Sequence, residues 1–208
     1  MKFIPACARN SLISIAMCLG LAACSSQAPL SVNYYILDHE LAAYQQASSV
    51  AKHNADKQIV LSQVRLAKYL EQSQLTILQT NHQLYYTSQH VWSEQLKHAI
   101  ARALVNDFNT ASNDYHLVLN NEPTSHDSRY QLQLQLDHFV ATDDSEVILA
   151  GKFWLIDHQE NKKGELVASS PFYFSKDLSE NGFSHSVKQQ RQLLKQLANR
   201  LSSALTER

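Results

Sequence analysis

The sequence predicts an α+β fold, in which residues 32–208 form one domain with a mainly antiparallel sheet and two amphipathic helices on one face. Strand-like segments outnumber helical ones, three of them follow one another with tight turns, and each helical segment has a single apolar stripe. A stripe of this kind must be buried against another element, and a sheet with one dry face is the natural partner.

The first strands are predicted from β-branched and aromatic residues. Residues 32–38 contain Tyr34-Tyr35-Ile36-Leu37, and residues 58–66 alternate with a slip at Ser62-Gln63 that a bulge would explain. Two short strand-like pieces, 75–78 and 83–88, surround Asn81-His82 and predict a hairpin. The polar segment 40–57 has little periodicity and predicts a loop or a short helix.

A meander is predicted at the centre of the chain. In residues 129–140, Tyr130, Leu132, Leu134 and Leu136 alternate with polar residues, which indicates one dry and one wet face. Residues 146–157 and 165–176 return as strands after turns at 142–145 and 161–164. Helical spacing appears in 93–109, with Ser93 as the expected N-cap, and again in 186–205.

The N-terminus has the pattern of a secretory signal that ends at a cysteine. Residues 1–23 combine Lys2 and Arg9 with a short apolar run and the small pair Ala22-Ala23, and Cys24 follows directly. Leu21-Ala22-Ala23-Cys24 resembles the bacterial lipobox, which implies that Cys24 carries a diacylglycerol and a fatty acid such as palmitate. Residues 24–31 would then be a lipidated tether. The alternative is that Cys24 is an ordinary small residue of a signal peptide.

Composition excludes several classes of function. The formal net charge is −1, so there is no basic excess for nucleic acid. Cys7 and Cys18 lie inside the signal and Cys24 is the lipidation candidate, so no disulfide is expected.

No catalytic site, metal site or cofactor is expected. The ten histidines are scattered without metal-ligand spacing, and no serine lies in a Gly-x-Ser-x-Gly motif. The Asp143-Asp144 pair fits a solvated turn. Asp137-His138 and a distant serine could be combined into a catalytic triad on paper. Any chain rich in serine and histidine permits such a combination, so it does not indicate a triad.

Aromatic residues are more suggestive of a contact surface. Tyr85-Tyr86 and Trp92 precede the first helix, and Phe172, Tyr173 and Phe174 lie on the last strand. Neighbours in a strand point to opposite faces, so some of these side chains should be exposed for a protein or lipid contact. Plain core packing is the alternative.

In their order along the chain, several short motifs resemble the PqiC-like, ABC-type transport auxiliary lipoproteins that accompany MCE-domain lipid transport systems. These motifs are the lipobox, Tyr34-Tyr35-Ile36-Leu37, Tyr69-Leu70, the Tyr85 to Trp92 segment, Gly151-Lys152-Phe153-Trp154 and the Leu-rich C-terminal helix. The chain departs from the family pattern in segment 40–57 and in Leu66-Ala67-Lys68, where a proline is often seen.

The resemblance implies a protein that is not an enzyme. It would be a lipoprotein on the periplasmic face of the outer membrane that docks a periplasm-spanning MCE-domain protein and supports envelope integrity, with a homo-oligomer possible. We expect Tyr69, Leu70, Tyr85, Tyr86 and Trp92 to form the partner-facing surface. The main alternative is an outer-membrane lipoprotein that binds lipid or lipopolysaccharide or assists assembly, and a third is an envelope hydrolase.

Overall fold

The computed structural model describes residues 31–38, 57–123, 125–158 and 164–206. The predicted signal peptide, Cys24 and nearly all of the predicted tether and of the polar segment 40–57 lie outside these residues. Val32–Arg208 forms one compact unit.

Eight strands and two α-helices make up the described part of the chain. The strands are β1 Asn33–Tyr35, β2 Gln58–Leu66, β3 Gln74–Leu78, β4 Leu84–Trp92, β5 His116–Leu119, β6 Tyr130–Thr142, β7 Glu146–Asp157 and β8 Glu165–Asp177. The α-helices are α1 Leu96–Ala111 and α2 Phe183–Thr206, and short 3₁₀ turns occupy Lys68–Glu71 and Ser125–Asp127.

The strands form one mixed sheet organised around β6. On one side, β6 pairs antiparallel with β7, which pairs antiparallel with β8. The other side of β6 is shared, because β2 runs parallel along its first part and β3 pairs with its end. Beyond β2 lies β5, and beyond β3 lie β4 and then β1. The long β6–β7–β8 meander supplies most of the pairing, so the fold is α+β as predicted.

The predicted hairpin and meander are both present, as β3–β4 and β6–β7–β8. The bulge expected in β2 is confirmed by a register shift between Leu61 and Gln63. Ser93 is not the N-cap of α1, because its N–H donates to Tyr35 O and the helix begins only at Leu96. The C-terminal helix begins earlier than predicted, directly after Gly182, whose φ is +110°.

A second bulge, in β6 between Leu136 and His138, lies opposite Gly151. A Cβ at Gly151 would lie 2.0 Å from the carbonyl oxygen of Gln135 and 3.0 Å from the Phe172 ring. The close approach of the two strands therefore requires glycine here.

The hydrophobic core lies between the helices and one face of the sheet. Alternate residues of β6, including Leu132, Leu134 and Leu136, are fully buried there. Helix α1 packs on β2 and β5, α2 packs on β6, β7 and β8, and the two helices contact each other. The sheet therefore has a helix face and an opposite face that neither described helix covers.

A buried ion cluster joins both helices to the segment that follows β1. Arg191 of α2 forms a bidentate pair with Asp107 of α1, in which Nη2 lies 2.8 Å from Oδ1. The same guanidinium donates from Nε and Nη2 to Asp38 Oδ1, at 3.3 Å each. Asn106 Nδ2 donates to the second oxygen of Asp38 at 3.3 Å. The side chains of Arg191 and Asp38 are only 6% and 7% exposed, so water screens this cluster poorly.

We predict that Arg191→Met lowers the free energy of unfolding by about 3–5 kcal/mol, because it leaves two buried carboxylates without their cation. Urea unfolding followed by circular dichroism measures this loss. Lys195→Met, at an exposed position on the same helix, is the control and should change stability by less than about 0.5 kcal/mol. A loss below about 1 kcal/mol for Arg191→Met would show that the cluster contributes little.

Candidate functional site

The candidate site is the sheet face that the described helices leave uncovered, here called the open face. Because Leu134 faces the helices, its neighbours Gln133 and Gln135 face the opposite way. The register carries this orientation across the sheet: Gln133 pairs with Trp154, and Gln135 pairs with Arg65 on one side and Lys152 on the other. Polar, basic and aromatic side chains thus form rows on the open face.

Trp154 lies on the open face with two cations near its ring. The guanidinium carbon of Arg65 is 5.2 Å from the centre of the indole ring, and Lys152 Nζ is 5.3 Å from it. Each such contact contributes about 0.5–1 kcal/mol at an exposed site. The indole is half-buried while both cations are exposed. The open face therefore presents an aromatic ring with two cations close to it.

Tyr69 and His138 form a second aromatic group on the open face. The Tyr69 hydroxyl donates to the carbonyl oxygen of Asp137 at 3.0 Å and lies 3.0 Å from His138 Nδ1. A phenol has one proton to donate, so the tautomer of His138 decides which partner of the Tyr69–Nδ1 hydrogen bond is the donor. Burial raises the pKa of Tyr69, and the Asp137 carboxylate and the Tyr86 phenol raise it further.

The structure divides the five predicted contact residues among three environments. Tyr69 and Tyr86 belong to the open face, with Tyr86 opposite Thr76 in the hairpin. Tyr85 pairs with Ile77, which in turn pairs with Ala141 of the helix side, so Tyr85 points the other way. Leu70 and Trp92 are 4% and 8% exposed and lie in the hydrophobic core. A partner would therefore meet Tyr69 and Tyr86 but not the side chains of Leu70 and Trp92.

The role of Leu70 and Trp92 in the core has a local explanation. Leu70 lies in the 3₁₀ turn between β2 and β3, and Trp92 ends β4 where the chain turns into α1. At both positions the chain turns at the edge of the core. The aliphatic side chain of Leu70 and the indole of Trp92 fill the space at these turns.

Arg65, Lys152 and Trp154 were not among the predicted site residues. The alternation of β7 could have indicated that Lys152 and Trp154 share a face, because the apolar Phe153 and Leu155 are buried on the other face. The pairing of β2 with β6, which brings Arg65 to Trp154, had no signal within either strand.

Among the described residues, no group of three or more His, Cys, Asp or Glu side chains is placed to hold a metal ion. None of the described helices is both long and apolar enough to cross a membrane.

Comparison with known protein families gives one match, to the model of the ABC-type transport auxiliary lipoprotein component, over residues 39–202. The chain belongs to this family. No curated protein sequence matches the chain significantly.

Solved structures share the fold of this family member at low sequence identity. A crystal structure of an uncharacterized protein gives a TM-score of 0.66 at 16% identity, over 84% of this chain and 99% of the other. A Xanthomonas campestris protein of the DUF330 family gives a TM-score of 0.59 at 14% identity, over 71% of this chain and 82% of the other. Identities this low establish the fold alone.

We predict that Tyr69 contributes to the loss of stability of this lipoprotein at alkaline pH. Its pKa is raised above the ordinary 10.0, so the folded state keeps a proton that the unfolded state releases. The stability that the protonated Tyr69 contributes is fully present below the pKa of the tyrosine in the unfolded state. It is lost as pH rises through the pKa of Tyr69 in the folded state. Tyr69→Phe should therefore flatten the fall in stability above about pH 10 in urea titrations at several pH values.

Tyr85→Phe, at an exposed tyrosine of the same hairpin, is the control and should leave the alkaline slope unchanged. An identical slope in wild type and Tyr69→Phe would contradict the prediction.

Proposed function

We propose that this family member is an outer-membrane-anchored periplasmic lipoprotein subunit of an MCE-type intermembrane lipid transport system. In this role it docks the periplasm-spanning MCE-domain protein and supports the integrity of the envelope. The family supplies the transport accessory role, and the open face is the observation that supports docking.

The composition of the open face is that of a protein-binding surface. Tyrosine, tryptophan and arginine dominate the energetics of known interfaces, where they act as rigid or planar anchors. Trp154 with its two cations and the Tyr69–His138 pair supply such anchors on one face, and Tyr86 is 42% exposed beside them. The glutamines between them offer hydrogen bonds without fixed charge.

The proposed anchor would keep this face near one membrane. From Cys24 to Val32 the chain is eight residues long, which spans at most about 28 Å when fully extended. Asp38, six residues after Val32, is fixed in the core by Arg191. A tether that short prevents the domain from crossing the periplasm, so the partner must come to it. Docking to a ring-shaped partner would make a symmetric homo-oligomer plausible.

Direct binding of a lipid inside the described domain is less well supported. The hollow that Leu70, Trp92 and Phe139 line between the sheet and α2 has a volume of about 10 Å³. That volume is about the space for one water molecule. An acyl chain could enter this part of the core only if the core opened. The larger hollows among the described residues lie beside the edge of β2, outside this part of the core.

Two adjacent tyrosines provide a matched test of docking through the open face. Tyr86→Ala removes an open-face ring, whereas Tyr85→Ala removes a similarly exposed ring from the other side of the same strand. We predict that Tyr86→Ala weakens capture of the MCE-domain partner at least tenfold, about 1.4 kcal/mol, and that Tyr85→Ala leaves it unchanged. Co-purification with matched circular dichroism spectra checks both.

Equal losses in both variants would indicate damage to the hairpin, and undiminished binding by Tyr86→Ala would remove that residue from the interface. Trp154→Ala, on a different strand of the same face, separates these cases because it leaves the hairpin intact.

The anchor is tested separately with a Cys24→Ser variant that is exported in soluble form. We predict that it folds like the wild type but fails to restore the resistance of a deletion strain to detergent. The physical reason is that two or three acyl chains, at about 0.8 kcal/mol per buried CH₂, hold the protein at the membrane and a serine cannot accept them. Full restoration would show that the anchor is dispensable.

A further inference from the structure

Strand β2 has an edge that is only half used. Its first four residues pair with β5, from Gln58 opposite His116 to Leu61 opposite Leu119. After the bulge, residues 63–66 continue in regular register with β6 on the other side. Ala67 donates its N–H to Leu136 O, so by alternation the N–H and C=O groups of Val64 and Leu66 point away from β6. Among the described residues, no group pairs with them there.

Two other edges of the same sheet carry groups that block pairing. On β5, the Asn109 side chain bonds both the N–H and the C=O of Leu117, at 2.7 and 2.8 Å, and Glu122 accepts the N–H of Leu119 at 2.9 Å. On β8, Pro171 lacks an N–H and its carbonyl oxygen accepts a hydrogen bond from Arg200. Such devices protect edge strands from pairing with other chains. The second half of β2 has none among the described residues.

A groove runs beside this unblocked edge. It is formed by two adjoining hollows of about 780 and 310 Å³, which share Gln63, Val64 and Lys97 in their linings. The first turns of α1 form one wall and the strand edge forms the other. A volume of this size accommodates a bound peptide segment, since ligand pockets measure about 300–1,000 Å³.

The charges of the groove favour an anionic occupant. Lys97, Arg102 and Arg65 line it, against one carboxylate, Glu71. Glu71 is itself paired with Lys68 at 2.9 Å, and Arg102 with Glu94 at 2.5 Å. The Arg65 guanidinium lies over the Trp154 ring, away from the strand edge. Lys97 is exposed and forms no ion pair among the described residues, so its charge is available to a bound segment.

We propose that the edge of β2 at residues 63–66 is a strand-addition site for an extended, acidic segment of a partner polypeptide. The backbone of the segment pairs with Val64 and Leu66, and the carboxylates on one of its faces lie toward Lys97. Backbone pairing gives such complexes their affinity, and the flanking side chains give selectivity. The proposal does not depend on which partner carries the segment.

The probe is a synthetic ten-residue peptide of alternating threonine and glutamate, compared with its lysine analogue and with an acidic peptide whose backbone nitrogens are methylated. The ¹⁵N-labelled folded domain is titrated with each. We expect the acidic peptide to shift and protect from exchange the amides of Val64 and Leu66, and the two comparison peptides to bind about tenfold more weakly or not at all.

Lys97→Glu should weaken the binding of the acidic peptide by about five- to tenfold. Lys195→Glu, which changes an exposed lysine on α2, should leave that binding unchanged. Unchanged Val64 and Leu66 amides at millimolar acidic peptide would overturn the proposal, and so would equal binding of the methylated peptide. Protection of the same amides that rises with protein concentration, without peptide, would assign the edge to a second copy of this chain and overturn it as well.

Discussion

The ion cluster of Arg191, Asp107 and Asp38 is the constraint on which the arrangement of this molecule depends. One guanidinium satisfies two carboxylates that come from α1 and from the segment after β1, and all three are buried. Apolar packing alone would allow the helices to slide, because hydrophobic contacts have no direction. The bidentate geometry fixes their relative position, and the bonds to Asp38 also fix the segment that follows β1. With both helices held on one face, the other face is left for contacts.

The alternation of side chains along β6 and β7 serves both faces of the sheet. In β6 and β7, most residues that face the helices are leucine, phenylalanine or valine. Their neighbours include Gln133, Lys152 and Trp154, and also apolar residues such as Val140 and Ile148. A sheet face exposed to water needs no aromatic residue for burial. Trp154, with Arg65 and Lys152 near its ring, is therefore the residue on which the proposed docking surface chiefly rests.

The parts of the fold that depend on local pattern were predictable from the sequence. The meander and the β3–β4 hairpin follow from alternation and turn residues, and the bulge in β2 follows from a slip in that alternation. The parallel pairing of β2 with β6 and β5 was not predictable, because strands far apart in sequence carry no local mark of adjacency. For the same reason Tyr69 and Tyr86 could be proposed as surface residues while Arg65, beside Trp154, could not. Leu70 and Trp92 lie in irregular chain turns, where no period distinguishes core from surface.

The shortness of β5 explains why the second half of β2 has an unpaired edge among the described residues. Had β5 extended along the whole of β2, the edge after the bulge would be paired and the groove beside α1 would be filled. Instead β5 ends at Leu119, where Glu122 caps its backbone. Side chains block the outer edge of β5, whereas the second half of β2 keeps a regular edge beside Lys97 among the described residues. We therefore expect the β2 edge to select its partner and not to pair with any exposed strand. Arg65 lies both in the groove and beside Trp154, so a partner seated on the open face could extend into the groove without leaving the protein surface.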